Sequence, residues 1–119
     1  MAEYVKFELT DALREKTLDV LERSKKGKIR GGINEVTKAI ERGTAKFVFI
    51  AEDVSPKEIV MHIPVLCNDK NVSYSYVATR KELGEKSGLG VSTTAVAVIE
   101  SPVEEDLKDL GRKLVELKK

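Results

Sequence analysis

Residues 30 to 42 read Arg-Gly-Gly-Ile-Asn-Glu-Val-Thr-Lys-Ala-Ile-Glu-Arg. Wound into a helix after the glycines, this stretch places Glu35, Lys38 and Arg42 on one face by i, i+3, i+7 spacing. Val36, Ala39 and Ile40 fall on the side that can meet a core. Glycines just before a helix let another backbone approach closely, and the helix N-terminus offers unpaired N–H groups with a partial positive charge. Asn34 can donate and accept at once. Backbone donors, an amide, a carboxylate and an ammonium thus converge on one turn. That mixture suits nucleic-acid base edges better than phosphate alone. Lysine donates to guanine N7 and O6, asparagine reads a purine edge, and a carboxylate accepts from an amino group. The plain alternative is an ordinary capped helix, with Asn34 as its cap, Glu35 favoured by the dipole and Lys38 solvated.

Other chemistries find less support. His62 is the only histidine and Cys67 the only cysteine. Their spacing of five puts them on different faces of a helix, and a lone cysteine in an apolar setting is commonly a small buried hydrophobe. No zinc-ligand spacing occurs. Gly84-Glu85-Lys86-Ser87 resembles the end of a phosphate loop but lacks the upstream glycine and strand. The expectation is therefore no catalytic residue, no metal and no cofactor. Aromatic base-stacking platforms are also unsupported: of three Phe and three Tyr, Phe47 and Phe49 lie in an apolar run that belongs to a core. No Gly-x-x-Gly loop of the KH type is present.

The 119 residues suit one domain over 1–119, and 41% hydrophobic with 34% charged residues suits a globular, charge-rich chain. No apolar run nears the roughly 20 residues of a membrane span. The N-terminus lacks a signal-peptide core, and one cysteine permits no internal disulfide, so a reducing, cytoplasmic setting is expected. A net charge of +1 argues against coating nucleic acid by bulk electrostatics but leaves room for a compact site. Charge is unevenly spread: Arg23, Lys25, Lys26, Lys28 and Arg30 form an acid-free basic stretch. Arg80, Lys81 and Lys86 form a second basic region, and Glu100, Glu104, Glu105, Asp106 and Asp109 gather near the C-terminus.

Helix and strand patterns alternate along the chain. Thr10 caps a helix to about Ser24, and Lys28 to Gly31 is a short strand or extended turn. Asn34 caps a helix over Glu35 to Arg42, closed by a left-handed Gly43. Ala45 to Ala51 reads as a strand buried on both faces. Ser55-Pro56-Lys57-Glu58 starts another helix by capping box and N1 proline. That helix carries Ile59, Val60, Ile63, Leu66 and Cys67 and is kinked or divided by Pro64. Val72 to Ala78 is a strand and Arg80 to Glu85 a short helix. Gly84, Gly88 and Gly90 make the next stretch a loop. Thr94 to Ile99 is a last strand, and Glu104 to Leu117 a helix with Leu107, Leu110, Leu114 and Leu117 on one side. The fold class is α/β: a three-layer α-β-α sandwich around a mixed sheet of about four strands, with right-handed crossovers where strands run parallel.

Three runs carry a resemblance: Gly32-Ile33-Asn34-Glu35-Val36-Thr37-Lys38-Ala39-Ile40-Glu41-Arg42-Gly43, Ile50-Ala51-Glu52-Asp53-Val54, and His62-Ile63-Pro64-Val65-Leu66-Cys67. From about Val5 to Leu117 the chain resembles the archaeal large-subunit ribosomal proteins of the L-seven-Ae family, kin to the eukaryotic box C/D and spliceosomal kink-turn protein. The resemblance implies an α-β-α sandwich that binds kink-turn RNA, where tandem sheared G·A pairs follow a bulge. It implies that Asn34, Glu35 and Lys38 contact the guanines and that Gly32 allows close approach. Ile59 and Arg80 would enclose the flipped base, and Leu89, Gly90 and Val91 would cover the bulge. Arg42 joins that face, while Lys26, Lys28 and Arg30 are weaker phosphate contacts. The implied partners are ribosomal RNA, box C/D and H/ACA guide RNAs and ribonuclease P RNA. A Nop5-type scaffold and fibrillarin would join the assembled particle, and the free protein would be a monomer. The alternative is a purely ribosomal binder of the related L-thirty-e kind. The sequence departs from that pattern in Arg30-Gly31-Gly32, where many relatives place basic residues directly before the glycine. It departs again in Gly90 and Ser92-Thr93, where relatives often carry a charge or a proline. Ser55 stands where some eukaryotic relatives have glutamate and reads here as a helix cap.

Overall fold

The apolar run at 45–51 delivers the central strand. In the computed structural model, which describes residues 9–54, 58 and 60–118 (side chains to 116), Phe47–Ala51 forms β2 with all five residues buried. Around it lie β1 (Lys28–Gly31), β3 (Ser73–Val77) and β4 (Ala95–Glu100), in the order β1-β4-β2-β3. β4 runs antiparallel to both β1 and β2, and β2 runs parallel to β3. The sheet is therefore mixed, and only the β2–β3 pair calls for a crossover. Burial of β2 on both faces requires helices on both sides. α2 (Ile33–Glu41) packs on β1 and β4 and against α3 (His62–Asp69), while α1 (Asp11–Ser24) packs on β3 and against α5 (Glu104–Lys118). The short α4 (Arg80–Lys86) touches α1 and strands β2, β3 and β4. The result is the expected α-β-α sandwich.

Local signals explain most boundaries. Thr10 Oγ1 accepts from the Leu13 N–H at 3.2 Å and caps α1; Thr79 does the same for α4 through the Glu82 N–H at 3.1 Å. Gly43, at φ +73°, ends α2 in the left-handed conformation. β1 alternates exposed and half-buried residues, which leaves Lys28 and Arg30 pointing outward on an edge strand. Leu107, Leu110 and Leu114 of α5 are buried; the Leu117 side chain lies outside the described residues.

Two expectations change. Asn34 is not the cap of α2. The helix begins one residue before it, at Ile33, and Gly32 occupies the cap position at φ +93°. Gly32 lends no side chain, but its carbonyl takes the first helical bond, from the Val36 N–H at 3.0 Å. Gly84 lies inside α4, within the helix expected over Arg80 to Glu85, and a Cβ there would stand 1.9 Å from the Val91 carbonyl oxygen. Pro64 does not break α3, whose described residues begin at His62. It sits in the first turn, where its missing N–H would have had no helical acceptor. The capping box Ser55-Pro56-Lys57 lies outside the described residues.

Candidate nucleic-acid interface

One end of the sheet collects most of the residues singled out above. β1 ends there at Gly31, opposite Val96 near the start of β4. β2 and β3 end there at Ala51 and Val77, and the Glu52 N–H donates to the Val77 carbonyl at 2.9 Å. The loops leaving these strands carry the N-terminus of α2, Asp53, Arg80 and the 88–94 segment to one place.

The turn into α2 is held by the Gly32 N–H, which donates to the Ala95 carbonyl at 3.0 Å. At φ +93° and ψ 151° Gly32 adopts a conformation that side-chain-bearing residues enter only with strain. A Cβ at Gly32 would nevertheless meet no protein atom within 4 Å. The backbone geometry demands glycine, and the open space beside it admits an incoming group. Asn34, Glu35, Lys38 and Arg42 are all exposed. Lys38 and Glu35 hold each other only loosely, at 3.9 Å, so both side chains can exchange partners.

α2 and β1 bound a concavity of about 200 Å³ whose lining includes Lys28, Arg30, Glu35, Lys38 and Arg42. Strand and helix therefore bring together the outward cations of β1 and the polar face of α2. Among the described residues, Lys28, Arg30 and Arg42 make no ion pair. Lys26 is exposed but does not line this concavity. It precedes β1 at the far end of the strand, five residues from Gly31 along a rise of about 3.3 Å each.

The Leu89 loop closes over the glycines. A Cβ on Gly31 would fall 2.3 Å from Leu89 Cδ1, so the leucine tip rests directly on this glycine and would have to turn aside for a larger residue. The Leu89 and Gly90 N–H groups both donate to the Gly84 carbonyl, at 3.1 and 3.4 Å, and Gly90 sits at φ +76°. The loop presents apolar surface to solvent, with Val91 69% and Leu89 39% exposed. Arg80 begins α4 with its N–H donating to Asp53 Oδ1 at 2.8 Å and its Nε 3.6 Å from the same oxygen. Asp53 thus orients the arginine, a role that sequence reading missed because the two residues stand 27 apart in different loops. Ile59 lies outside the described residues.

Two other residues of the basic stretches are paired. Arg23 pairs with Asp19 and with Asp106 of α5, at 2.9 and 3.0 Å, and Lys86 reaches Glu22 at 3.2 Å. Cys67 is buried while His62 is exposed, with Nε2 3.0 Å from Thr37 Oγ1. Phe47, Phe49, Tyr74 and Tyr76 are all buried and offer no face for stacking. Among the described residues, no group of three or more His, Cys, Asp or Glu could hold a metal, and no helix is long and apolar enough to cross a membrane.

Comparison with known proteins agrees with this architecture. The solved structure of a Giardia lamblia 15.5kD RNA binding protein is similar with a TM-score of 0.88 and 26% sequence identity, over 98% of this chain and 99% of that one. Residues 15–110 match the model of the ribosomal protein L7Ae/L30e/S12e/Gadd45 family. That span takes in α2, Arg80 and the Leu89 loop, together with most of α1 and the first half of α5, and it is on this footing that the chain belongs to the ribosomal protein L7Ae/L30e/S12e/Gadd45 family.

Proposed function

We propose that this chain binds RNA and selects the sharply kinked duplex in which a bulge is followed by tandem sheared G·A pairs. The observation that carries the reading is the exposed α2 face. It sets Asn34, Glu35 and Lys38 beside an unobstructed Gly32 and next to a groove of unpaired cations. An undistorted A-form duplex hides its major-groove base edges in a deep, narrow groove. A helix roughly 10–12 Å across cannot enter it, whereas a kinked duplex with non-Watson–Crick pairs opens it. Asn34, Glu35 and Lys38 would read the purine edges, and Lys28, Arg30 and Arg42 would hold phosphates, with Lys26 a more distant contributor. Leu89, Gly90 and Val91 would cover the bulged bases, and Arg80 together with Ile59 would enclose the one that is flipped out. Family membership and the named RNA-binding likeness support this reading.

The protein would act as one domain and, when free, as a monomer. It would stabilise the kinked state by preferential binding, which shifts its population rather than forcing it. Its place would be the large ribosomal subunit together with box C/D, H/ACA and ribonuclease P particles. There it would nucleate assembly while a Nop5-type scaffold and fibrillarin supply, respectively, framework and chemistry. Asn34→Ala is expected to cost about 1–3 kcal/mol of affinity for a kink-turn RNA and far less for a plain duplex. Titration of both RNAs at one salt concentration checks this, and an equal loss on both would remove the base-reading role.

A further inference from the structure

α2 separates two depressions. On its Glu35–Arg42 side lies the cationic concavity. On the other, a shallow depression of about 530 Å³ is lined by Ile33, Asn34, Thr37, Lys38 and His62. Lys38 lines both and stands on the crest between them. Any nucleic-acid groove has two phosphate rims. A helix that reaches base edges with Asn34 and Lys38 therefore brings each flank to one rim. The first flank meets its rim with Lys28, Arg30 and Arg42. The second carries Thr37 and His62, bonded to each other at 3.0 Å.

We propose that the Thr37–His62 pair is a second phosphate-binding point, taking the RNA strand opposite the one held by Lys28, Arg30 and Arg42. The inference rests on the RNA reading above. A phosphate oxygen at this depression needs the Thr37 hydroxyl proton, so the ring must donate to Thr37 Oγ1 from Nε2. Neutral imidazole can do so in one tautomer and without charge; protonated imidazole does so always and adds a positive charge. Of the charged groups around His62, Lys38 faces the same depression from α2, and Glu58, exposed, precedes it by four residues. β3, which packs on α3, contributes no charged residue. His62 makes no ion pair among the described residues. An arriving phosphate sets a negative charge beside the ring and favours its charged form. Binding therefore takes up a proton, and affinity rises as pH falls.

The test is the affinity of the full chain for a synthetic kink-turn RNA at about pH 6 and about pH 8 and constant ionic strength, for the wild type, H62Q, T37V and T37S. The wild type is expected to bind roughly three- to tenfold tighter at the lower pH, the scale of one exposed charge-assisted contact. H62Q loses that gain, T37V loses most of it, and T37S, which keeps the hydroxyl, retains it. Replacing single linkages by uncharged methylphosphonate should reveal one position that abolishes the pH dependence, on the strand whose linkages are insensitive to Arg30→Ala. A flat wild-type profile, or an equal pH response in H62Q, overturns the inference. So does an H62Q loss that is the same at both pH values, since the pair would then only clamp α2 to α3. In each of these cases kinked-RNA selection stands. If the wild type fails to prefer kinked RNA over plain duplex, both readings fall.

Discussion

On the α1–α5 side, Lys16 donates to Asp109 at 2.6 Å, Arg23 bridges Asp19 and Asp106, and Lys113 approaches Asp109 at 3.4 Å. Arg14 reaches Glu52 at 3.1 Å, and Lys46 pairs with Glu104. On the α2 side, Lys28, Arg30 and Arg42 line one groove with no such partner among the described residues, and Lys38 has only a 3.9 Å contact. A net charge of +1 thus averages a face that neutralises itself and a face that does not. Partners feel charge locally, over roughly 8–10 Å in ordinary salt. Near-neutrality of the whole chain is therefore compatible with a strongly anion-seeking site. The side chains that can leave their partners cheaply are the ones placed where a ligand would supply new ones.

The contrast can be broken most severely through the support of its unpaired end. Gly84→Ala places a methyl group against the Val91 carbonyl and is expected to destabilise the fold by about 1–3 kcal/mol. The helix propensity gained over glycine, at most about 1 kcal/mol, offsets only part of the clash. Thermal melting measures the loss, and retention of wild-type stability would show that the Leu89 loop yields freely.

Arg30→Ala and Arg42→Ala sharpen the electrostatic side of the comparison. Each is expected to weaken binding to every RNA and to lower the log–log salt slope by about 0.7–0.9. Lys16→Ala, on the paired face, should leave that slope unchanged. A slope that responds equally to Lys16→Ala would dissolve the distinction between the faces.

The smallest effect concerns acid stability. The Lys16 hydrogen bond, reinforced by Lys113, lowers the Asp109 carboxyl pKa to about 2. A depressed folded-state pKa stabilises the protein in full above the ordinary carboxylate value, and that contribution fades as pH falls toward about 2. The melting temperatures of the wild type and Lys16→Ala should therefore converge as pH falls from about 4 to about 2. Both carboxylate and ammonium are surface groups, so the separation at neutral pH is small. Parallel curves across that window would show that the pair does not shape acid stability.

Much of the fold was legible because its signals are local. The apolar run at 45–51 could only be a covered strand, and Thr10 capped its helix as read. The failures were local signals overridden by distant contacts. Asn34 has the chemistry of a cap, yet Gly32 takes that position because its N–H is tied to Ala95, 63 residues on. Gly84 falls within the expected helix, but no local signal shows that it is a packing glycine whose neighbour is Val91. The strand expected over Val72 to Ala78 is present as β3, but no local signal shows that its Ser75 is buried and shares a 2.9 Å hydrogen bond with Thr17 of α1. For the site, Glu35, Lys38 and Arg42 were legible as one polar face because helical periodicity relates them. That Lys28 and Arg30 join them, and that Lys26 does not, depended on how β1 docks beside α2.

Gly31 and Leu89 also bear on how this chain can drift in sequence. The tip of Leu89 rests where a side chain at position 31 would begin, although 58 residues separate the two. Leu89 is partly exposed, so a residue at 31 moves the leucine tip to another rotamer rather than moving backbone. A change at position 31 therefore reshapes the apolar surface of the Leu89 loop while leaving the fold in place.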